Sequence, residues 1–287
     1  MSNNFLKISL RRRLINWLAV AGITLATLIV TVPLFLVLTT VVRRGIVGLN
    51  WSFLTQIPKP VGETGGGMAN AIVGSLGLLA LTCLIGVPLG VGSGIYLAEY
   101  GRNRRGDFVR FTADILNGVP SIVVGLTVYA LVVLSQKHFS LLAGSIALGL
   151  MMIPTVARTT EEVLLLVPHS IREAALGLGI PQWRTIISVV LPAAASGILT
   201  SIMLAFARVA GETAPLMFTA FGNQYWNLDP NQPTAALPLQ IFNYAVMPYE
   251  QAHQQAWTGA LVLIALVMTT VIVFRFTTGR RAIKGAD

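Results

Sequence analysis

The chain has 287 residues, 54% hydrophobic and only 11% charged, against roughly 25% charged in soluble globular domains. This excludes a water-soluble globular protein and makes lipid the solvent for most side chains. The formal charge of +9 does not signal nucleic acid, because the basic residues sit between long apolar runs, as the positive-inside effect requires.

A helix needs about 20 apolar residues to cross the hydrocarbon core. Six segments meet that length in chain order: Leu14–Val42, Ala69–Tyr96, Phe111–Leu134, Leu141–Ala157, Leu191–Ala220 and Trp257–Phe276. The predicted fold is all-α, a polytopic six-helix bundle. The first segment follows Lys7 and Arg11–Arg13 in the manner of a signal peptide. It is far longer than a 7–15-residue signal core and reads as an uncleaved span. The chain divides into residues 1–68 (tail, first span and outer loop), a core at 69–276 and a tail at 277–287. The lone cysteine, Cys83, lies in the second span, so no intrachain disulfide forms.

Orientation follows from Lys and Arg. One set of loops and ends holds Lys7, Arg11, Arg12, Arg13, Arg102, Arg104, Arg105, Arg110, Arg158, Arg172, Arg184, Arg275, Arg280, Arg281 and Lys284. The opposite set holds only Arg43, Arg44, Lys59 and Lys137. Both termini are therefore expected in the cytoplasm. In the second span Gly86, Gly90 and Gly94 form overlapping GxxxG spacings, and Ala193–Gly197 is a small-residue run in the fifth. Such residues let helix backbones approach closely in lipid, here chiefly within one bundle, with a second membrane subunit as the alternative.

The stretch Arg158–Val190 between the fourth and fifth spans is the most charged. Thr159 with Glu162 and Ser170 with Glu173 fit the capping-box spacing. Gly179 suits a left-handed helix stop and Pro181 the first turn of another helix. Short helices joined by a glycine turn are expected, in a form able to dock on a soluble partner. Glu173-Ala174-Ala175, three residues, Gly179, nine residues, then Val189-x-Leu191-Pro192 resembles the EAA loop of ABC importer permeases, with Val189 where the usual residue is Ile. The resemblance implies that Glu173, Ala174, Ala175 and Gly179 contact an ATP-hydrolysing subunit. Glu173 acting mainly as a capping partner is the plainer alternative.

In the fifth span Arg208 and Glu212 stand in an otherwise apolar stretch. Arg at the centre of a lipid-facing helix costs about 2.5–3.5 kcal/mol on insertion scales, so it should face the bundle interior or a watery cavity. The i, i+4 spacing places both on one helix face, able to pair. Pro215 removes a backbone donor and crowds the Gly211 carbonyl, predicting a kink. From the residues alone, a structural salt bridge and a place on an anion path remain open, since guanidinium matches the oxygens of phosphate or sulfate.

Gly211-Glu212-Thr213-Ala214-Pro215-Leu216 with Phe218-Thr219-Ala220 closely resembles a signature of the PstA-type permeases of phosphate ABC importers. Gly94-Ile95-Tyr96-Leu97-Ala98-Glu99-Tyr100 and Gly118-Val119-Pro120-Ser121 resemble the same family, and the likeness runs from about Ala69 to the C-terminus. It implies a type I ABC importer permease of the prokaryotic inner membrane, with Arg208 and Glu212 on the phosphate path. It further implies a homologous second permease, a dimer of ATP-binding cassette ATPase subunits and an external phosphate-binding protein as partners. Transport of sulfate or molybdate, and a role as a sensor of phosphate supply, are the alternatives.

The outer loop Gly222–Ala256 has no Lys or Arg. Its Tyr225, Trp226, Tyr244 and Tyr249 suit either that binding protein or an aromatic belt at the membrane interface. No G-x-x-x-x-G-K-[ST], H-E-x-x-H or G-x-S-x-G is present, and His138, His169 and His253 lack metal-ligand spacing. No enzymatic activity, cofactor, metal or nucleic-acid partner is expected, and ATP hydrolysis belongs to a partner chain.

Overall fold

Backbone groups in hydrocarbon have no water to bond, so spanning segments must satisfy themselves as helices. The computed structural model describes residues 10–60, 63, 65–227 and 229–284, of which 277–284 as backbone only. Lys7 and residues 285–287 lie outside the described residues. In chain order the helices are α1 (Leu10–Gly45), α2 (Trp51–Thr55), α3 (Ala69–Glu99), α4 (Arg104–Gly118) and α5 (Ser121–Gln136, with a π turn at Tyr129–Val133). They continue with α6 (Leu141–Leu165), α7 (His169–Gly177), α8 (Gln182–Ala210, with a π turn at Ile186–Val190), α9 (Ala214–Thr219), α10 (Leu237–Ala245) and α11 (Glu250–Lys284). Among the described residues the only β feature is an isolated bridge, Phe221 to Thr234.

Five of these helices, α1, α3, α6, α8 and α11, are long and apolar enough to cross a membrane, and a sixth span exists if α4 and α5 are taken together. The expected straight helix Phe111–Leu134 is therefore corrected to two helices bent by 104°. The cause is local: Pro120 biases the preceding residue away from helical dihedrals, and Val119 is extended at φ −70°, ψ 131°. The expected span Leu191–Ala220 also differs. Its helix begins at Gln182 and stops at Ala210, and α9 follows after a three-residue break. The π turn of α8 directly precedes Pro192, whose missing amide interrupts the hydrogen-bond ladder.

The centre of the bundle is α3 packed parallel to α6, the contacts rising together along both helices. A Cβ added to Gly90 would lie 2.7 Å from Val156 Cβ, one on Gly94 2.6 Å from Thr160 Cβ, and one on Gly86 3.2 Å from Met152 Sδ. Met152, Val156 and Thr160 are one turn apart, so the glycine stripe is the groove into which a ridge of α6 sits. The glycines serve packing within the chain, as does Gly197, where an added Cβ would meet Val163 at 2.5 Å. Polar bonds reinforce the pair: Ser145 donates to the Leu78 carbonyl (3.3 Å) and Thr82 to the Ser145 carbonyl (3.4 Å). One core cluster joins Leu78, Leu148, Met152, Val156, Val209 and Leu216 from α3, α6, α8 and α9.

The first amides of α6 show how a helix start is satisfied here. Ser140 donates to Thr219, Leu141 to Gln232 and Leu142 to Pro230 (2.9–3.0 Å), while the Ser140 hydroxyl caps Ala143. The outer loop is thus tied to the bundle by backbone bonds. The side-chain caps are Asn50, Asn103 and Ser140, and not the expected Thr159 and Ser170. Because α6 runs on to Leu165, Thr159 is mid-helix and bonds back to the Thr155 carbonyl. Ser170 lies inside the first turn of α7, whose N-cap is Pro168 with no side-chain cap bond.

Far from this centre, α1 is buried against the bundle only toward its C-terminal end, at Val41 and Gly45. Thr258 donates to the Gly45 carbonyl and Gln254 to that of Arg44, and the Arg44 guanidinium lies 5.2 Å from the Trp257 ring centre. The stacking gives Arg44, a residue against the charge bias, a local reason for its place.

Gly90→Val is expected to overpack α3 against α6 and destabilise the protein by about 1–3 kcal/mol. Gly92→Val, where an added Cβ meets nothing within 4 Å, should unfold like the unmodified protein in the same detergent melting assay. Equal melting of the two variants would contradict the groove.

Candidate translocation and coupling site

The two sequence motifs that break helices meet in space. A Cβ on Gly125, one turn into α5, would lie 2.6 Å from Pro215 Cα in α9. Val119 and Val124 beside the first break, and Val209, Ala210 and Leu216 beside the second, share the central cluster with Leu148 and Met151 of α6. Since α6 runs from Leu141 to Leu165, both breaks stand inside the depth of the bundle. Irregular backbone at such depth is tolerated where protein buries it or where it lines a water-filled cavity.

Arg208 lies in the last turn before the second break and Glu212 within it. Their expected i, i+4 pairing on one helix face is corrected, because α8 ends at Ala210 and Glu212 lies past it, its amide bonded to the Val209 carbonyl at 3.2 Å. Among the described residues the ion pairs join other partners and none joins Arg208 to Glu212. The Arg208 side chain is exposed on the isolated chain and Glu212 is half-buried. The expected break at Gly211–Pro215 is present and is the reason the pair does not form.

Along the other half of α6 runs a polar ladder that the sequence reading did not assemble. Arg110 Nε donates to Glu161 Oε1 at 2.6 Å, Arg158 bonds Glu161 Oε2 at 2.6 Å and Asp114 Oδ1 at 3.0 Å, and Thr155 donates to Asn117 Oδ1 at 2.9 Å. Residues 110, 114 and 117 thus descend α4 while 161, 158 and 155 ascend α6, the register of two antiparallel helices. Glu161 is 3% exposed. Two guanidinium groups hold this buried carboxylate from either side. Arg110 also donates to the carbonyls of Leu97 and Gly101, closing the end of α3.

The segment after α6 matches its expected form: α7, a turn at Gly179 with φ +78°, then Pro181 as N-cap of α8. Pro181 thus stands one place before the expected first turn. Glu173, Ala174 and Gly179 are exposed together with Leu176 and Leu178. Ala175, by contrast, is 6% exposed and turned into the chain, so it supports the loop and offers no surface. Arg172 faces the bundle. Its guanidinium bonds Glu99 at 2.8 Å and the carbonyls of Leu164 (2.8 Å) and Val167 (2.6 Å).

At the opposite end, Tyr225, Trp226 and Tyr249 are exposed. Tyr244 is half-buried against the cluster of Phe53, Met68 and Leu237. Burial pushes its phenol pKa up, partly offset by a hydrogen bond with Gln240. Among the described residues no group of three or more His, Cys, Asp or Glu side chains could hold a metal ion.

Comparison with known proteins places this arrangement. Residues 86–282 match the family described as "Binding-protein-dependent transport system inner membrane component", the permease class of ABC importers. The inward-facing MetNI methionine ABC transporter shares the fold, with a TM-score of 0.58 at 19% identity over 76% of this chain and 96% of that one. Two curated relatives, both described as "Phosphate transport system permease protein PstA", are closer in sequence. The one from Yersinia pestis is 49% identical over 83% of this chain and 81% of its own. The one from Xylella fastidiosa (strain 9a5c) is 48% identical over 90% of each. The chain belongs to the PstA family of membrane permease proteins, which are transport components of the inner membrane and not enzymes.

Removing the buried Glu161 leaves Arg110 and Arg158 facing each other with only the more exposed Asp107 and Asp114 as counter-charges. Breaking a fully buried pair costs about 3–5 kcal/mol. Because both arginines keep partial solvent access, Glu161→Ala is expected to cost about 2–3 kcal/mol, read by thermal unfolding in detergent. Unchanged stability would show that the ladder holds nothing together.

Proposed function

We propose that this chain is one of two permease subunits of an ATP-driven phosphate importer. It forms half of the translocation path and couples to separate ATPase subunits through the α7–Gly179 segment. The observation that carries this reading is the exposed Arg208 guanidinium beside a helix break at the depth of the central core cluster. An arginine there is costly against lipid, about 2.5–3.5 kcal/mol on insertion scales, so the assembled protein must cover it with water, anion or a second subunit. A planar guanidinium suits the oxygens of phosphate, and the curated relatives are phosphate permeases by name.

In this proposal α8 and α9, separated at Gly211–Thr213, and the α4–α5 pair, separated at Val119–Pro120, are the discontinuous helices at the path. Broken helices of this kind expose terminal backbone groups to substrates in other transporters. Glu212, half-buried and free of Arg208 in this structure, supplies a negative charge that competes with the anion for the guanidinium. Arg208 can then release phosphate instead of holding it. A homologous permease completes the path, and an external phosphate-binding protein delivers the anion near the loop that carries Tyr225, Trp226 and Tyr249. The end of the bundle that gathers Arg102, Arg104, Arg105, Arg110, Arg158, Arg172 and Arg184 faces the cytoplasm, and with it both termini. ATP-driven closure of the ATPase pair pushes on the exposed surface of Glu173, Ala174, Leu178 and Gly179. The inward-turned Ala175 seats that surface on the bundle.

The test is uptake of labelled phosphate by cells whose own permease is replaced by this chain. The unmodified chain should give saturable uptake that excess sulfate or molybdate does not reduce. Arg208→Gln, at equal membrane abundance, should lower uptake at least tenfold. Unaltered uptake in that variant would make Arg208 a structural residue. Competition by sulfate would move the substrate to another oxyanion.

A further inference from the structure

The coupling helix α7 is fastened to the bundle mainly through Arg172, a side chain that no motif includes, while His169 at its start adds a longer 3.5 Å bond with Arg102. Arg172 is 13% exposed and the facing Glu99 only 7%. The guanidinium meets that carboxylate through Nη2 at 2.8 Å and Nε at 3.1 Å. Its Nη1 and Nη2 also donate to the carbonyls of Val167 (2.6 Å) and Leu164 (2.8 Å). One planar fork therefore holds three elements: its own helix α7, the last turn of α3 through Glu99, and the end of α6 with the turn that follows it, through Leu164 and Val167. These are C-terminal helix ends, where a cation is also favoured by the helix dipole. Charge-assisted bonds of this kind are short and directional, and lysine, a point charge without the fork, does not reproduce them.

The target of these bonds matters as much as their number. α3 and α6 are locked along the Gly86–Gly90–Gly94 groove and behave as one body. The neighbouring residue, Glu173, is exposed, while Arg172 points inward. A push on the outer face of α7 thus has a short, stiff route through Arg172 into the α3–α6 pair. Without it, α7 remains joined to the bundle by its flanking turns at Leu166–Pro168 and Gly179–Pro181, by the packing of Ala175 and by the 3.5 Å bond between His169 and Arg102.

We infer that Arg172, held by Glu99, is a positioning residue for energy coupling: it makes the helix that receives the ATPase stroke move with α3 and α6. The inference rests on the coupling role proposed above for the Glu173 surface. It predicts that loss of the fork separates ATP hydrolysis from transport without dismantling the complex.

The experiment uses the complete transporter with its ATPase subunits and phosphate-binding protein, reconstituted in proteoliposomes. Phosphate moved and ATP hydrolysed are measured together. Arg172→Ala should retain ATPase subunits on co-purification, yet move at least fivefold less phosphate per ATP hydrolysed. Arg172→Lys should recover part of that ratio, and the exchange Glu99→Arg with Arg172→Glu more than either single reversal. Should Arg172→Ala fail to reach the membrane, Glu99→Gln carries the test, since it keeps the two carbonyl bonds and removes only the charge clamp; its ratio should fall at least twofold. An unchanged ratio in assembled complexes of either variant overturns the inference. Glu173→Arg separates this outcome from failure of the underlying reading. If Glu173→Arg leaves both co-purification and uptake intact, the Glu173 surface is not the ATPase contact and the inference falls with it. If Glu173→Arg strips the ATPase while Arg172→Ala keeps a normal ratio, only the role of Arg172 is lost.

Discussion

Everything in this chain is arranged around the rule that backbone polar groups in a membrane must be bonded, buried or wet. Most of the sequence obeys it in the simplest way, with long uninterrupted helices. The rule is broken at two places, Val119–Pro120 and Gly211–Thr213, and these breaks are brought together, with Gly125 leaving room for Pro215 between them. Arg208 sits at the edge of one break. A sealed structural bundle has no need of two adjoining discontinuities and an arginine at that depth. The proposed path gives them a use, as polar groups offered to an anion within the bundle.

The rest of the molecule keeps the remaining helices rigid enough for those breaks to matter. The glycine groove of α3 lets α6 approach until side chains interlock, and dispersion over that contact needs no hydrophobic drive, which lipid does not supply. The ion pairs Arg110–Glu161, Arg158–Asp114 and Arg172–Glu99 join helices at one end. There Glu161 is clamped by Arg110 and Arg158, and Glu99 by Arg172, so two of the most buried carboxylates are both spent on fastening helix ends to one another. The stiff α3–α6 body and its charged end form a continuous element from the surface of α7 to the level of the central cluster. In the proposed coupling, an ATPase stroke at one side of the membrane reaches the breaks through it.

Much of this was legible in the residues. Span number and order follow from apolar length, the glycine stripe from its four-residue spacing, and the break before Pro215 from the chemistry of proline. The turn at Gly179 follows from glycine's tolerance of positive φ. What was hidden depended on partners far apart in sequence. Asp114 and Asn117 are puzzling inside one straight span and make sense only once Pro120 turns the chain and lays α4 along α6. Glu99 and Arg172 are 73 residues apart, and nothing local announces that they meet. Thr159 carried a valid capping pattern but stood in the middle of a helix that had no reason to stop. The Arg208–Glu212 pair failed for the opposite reason: the spacing was right for a helix, and the helix had ended.

The central claim, that the break at Gly211–Thr213 lines a water-accessible phosphate path in the assembled transporter, can be tested with a single thiol. Cys83 is the only native cysteine, so Thr213→Cys in a Cys83→Ser background gives one reporter at the break. Labelling by a small, membrane-impermeant thiol reagent would be followed in the full complex, with and without phosphate-loaded binding protein and ATP. The account predicts labelling that changes with the transport cycle and slows when phosphate is present. A thiol that stays unreactive from both sides of the membrane in every state would show that the break is sealed within protein, and would contradict the account.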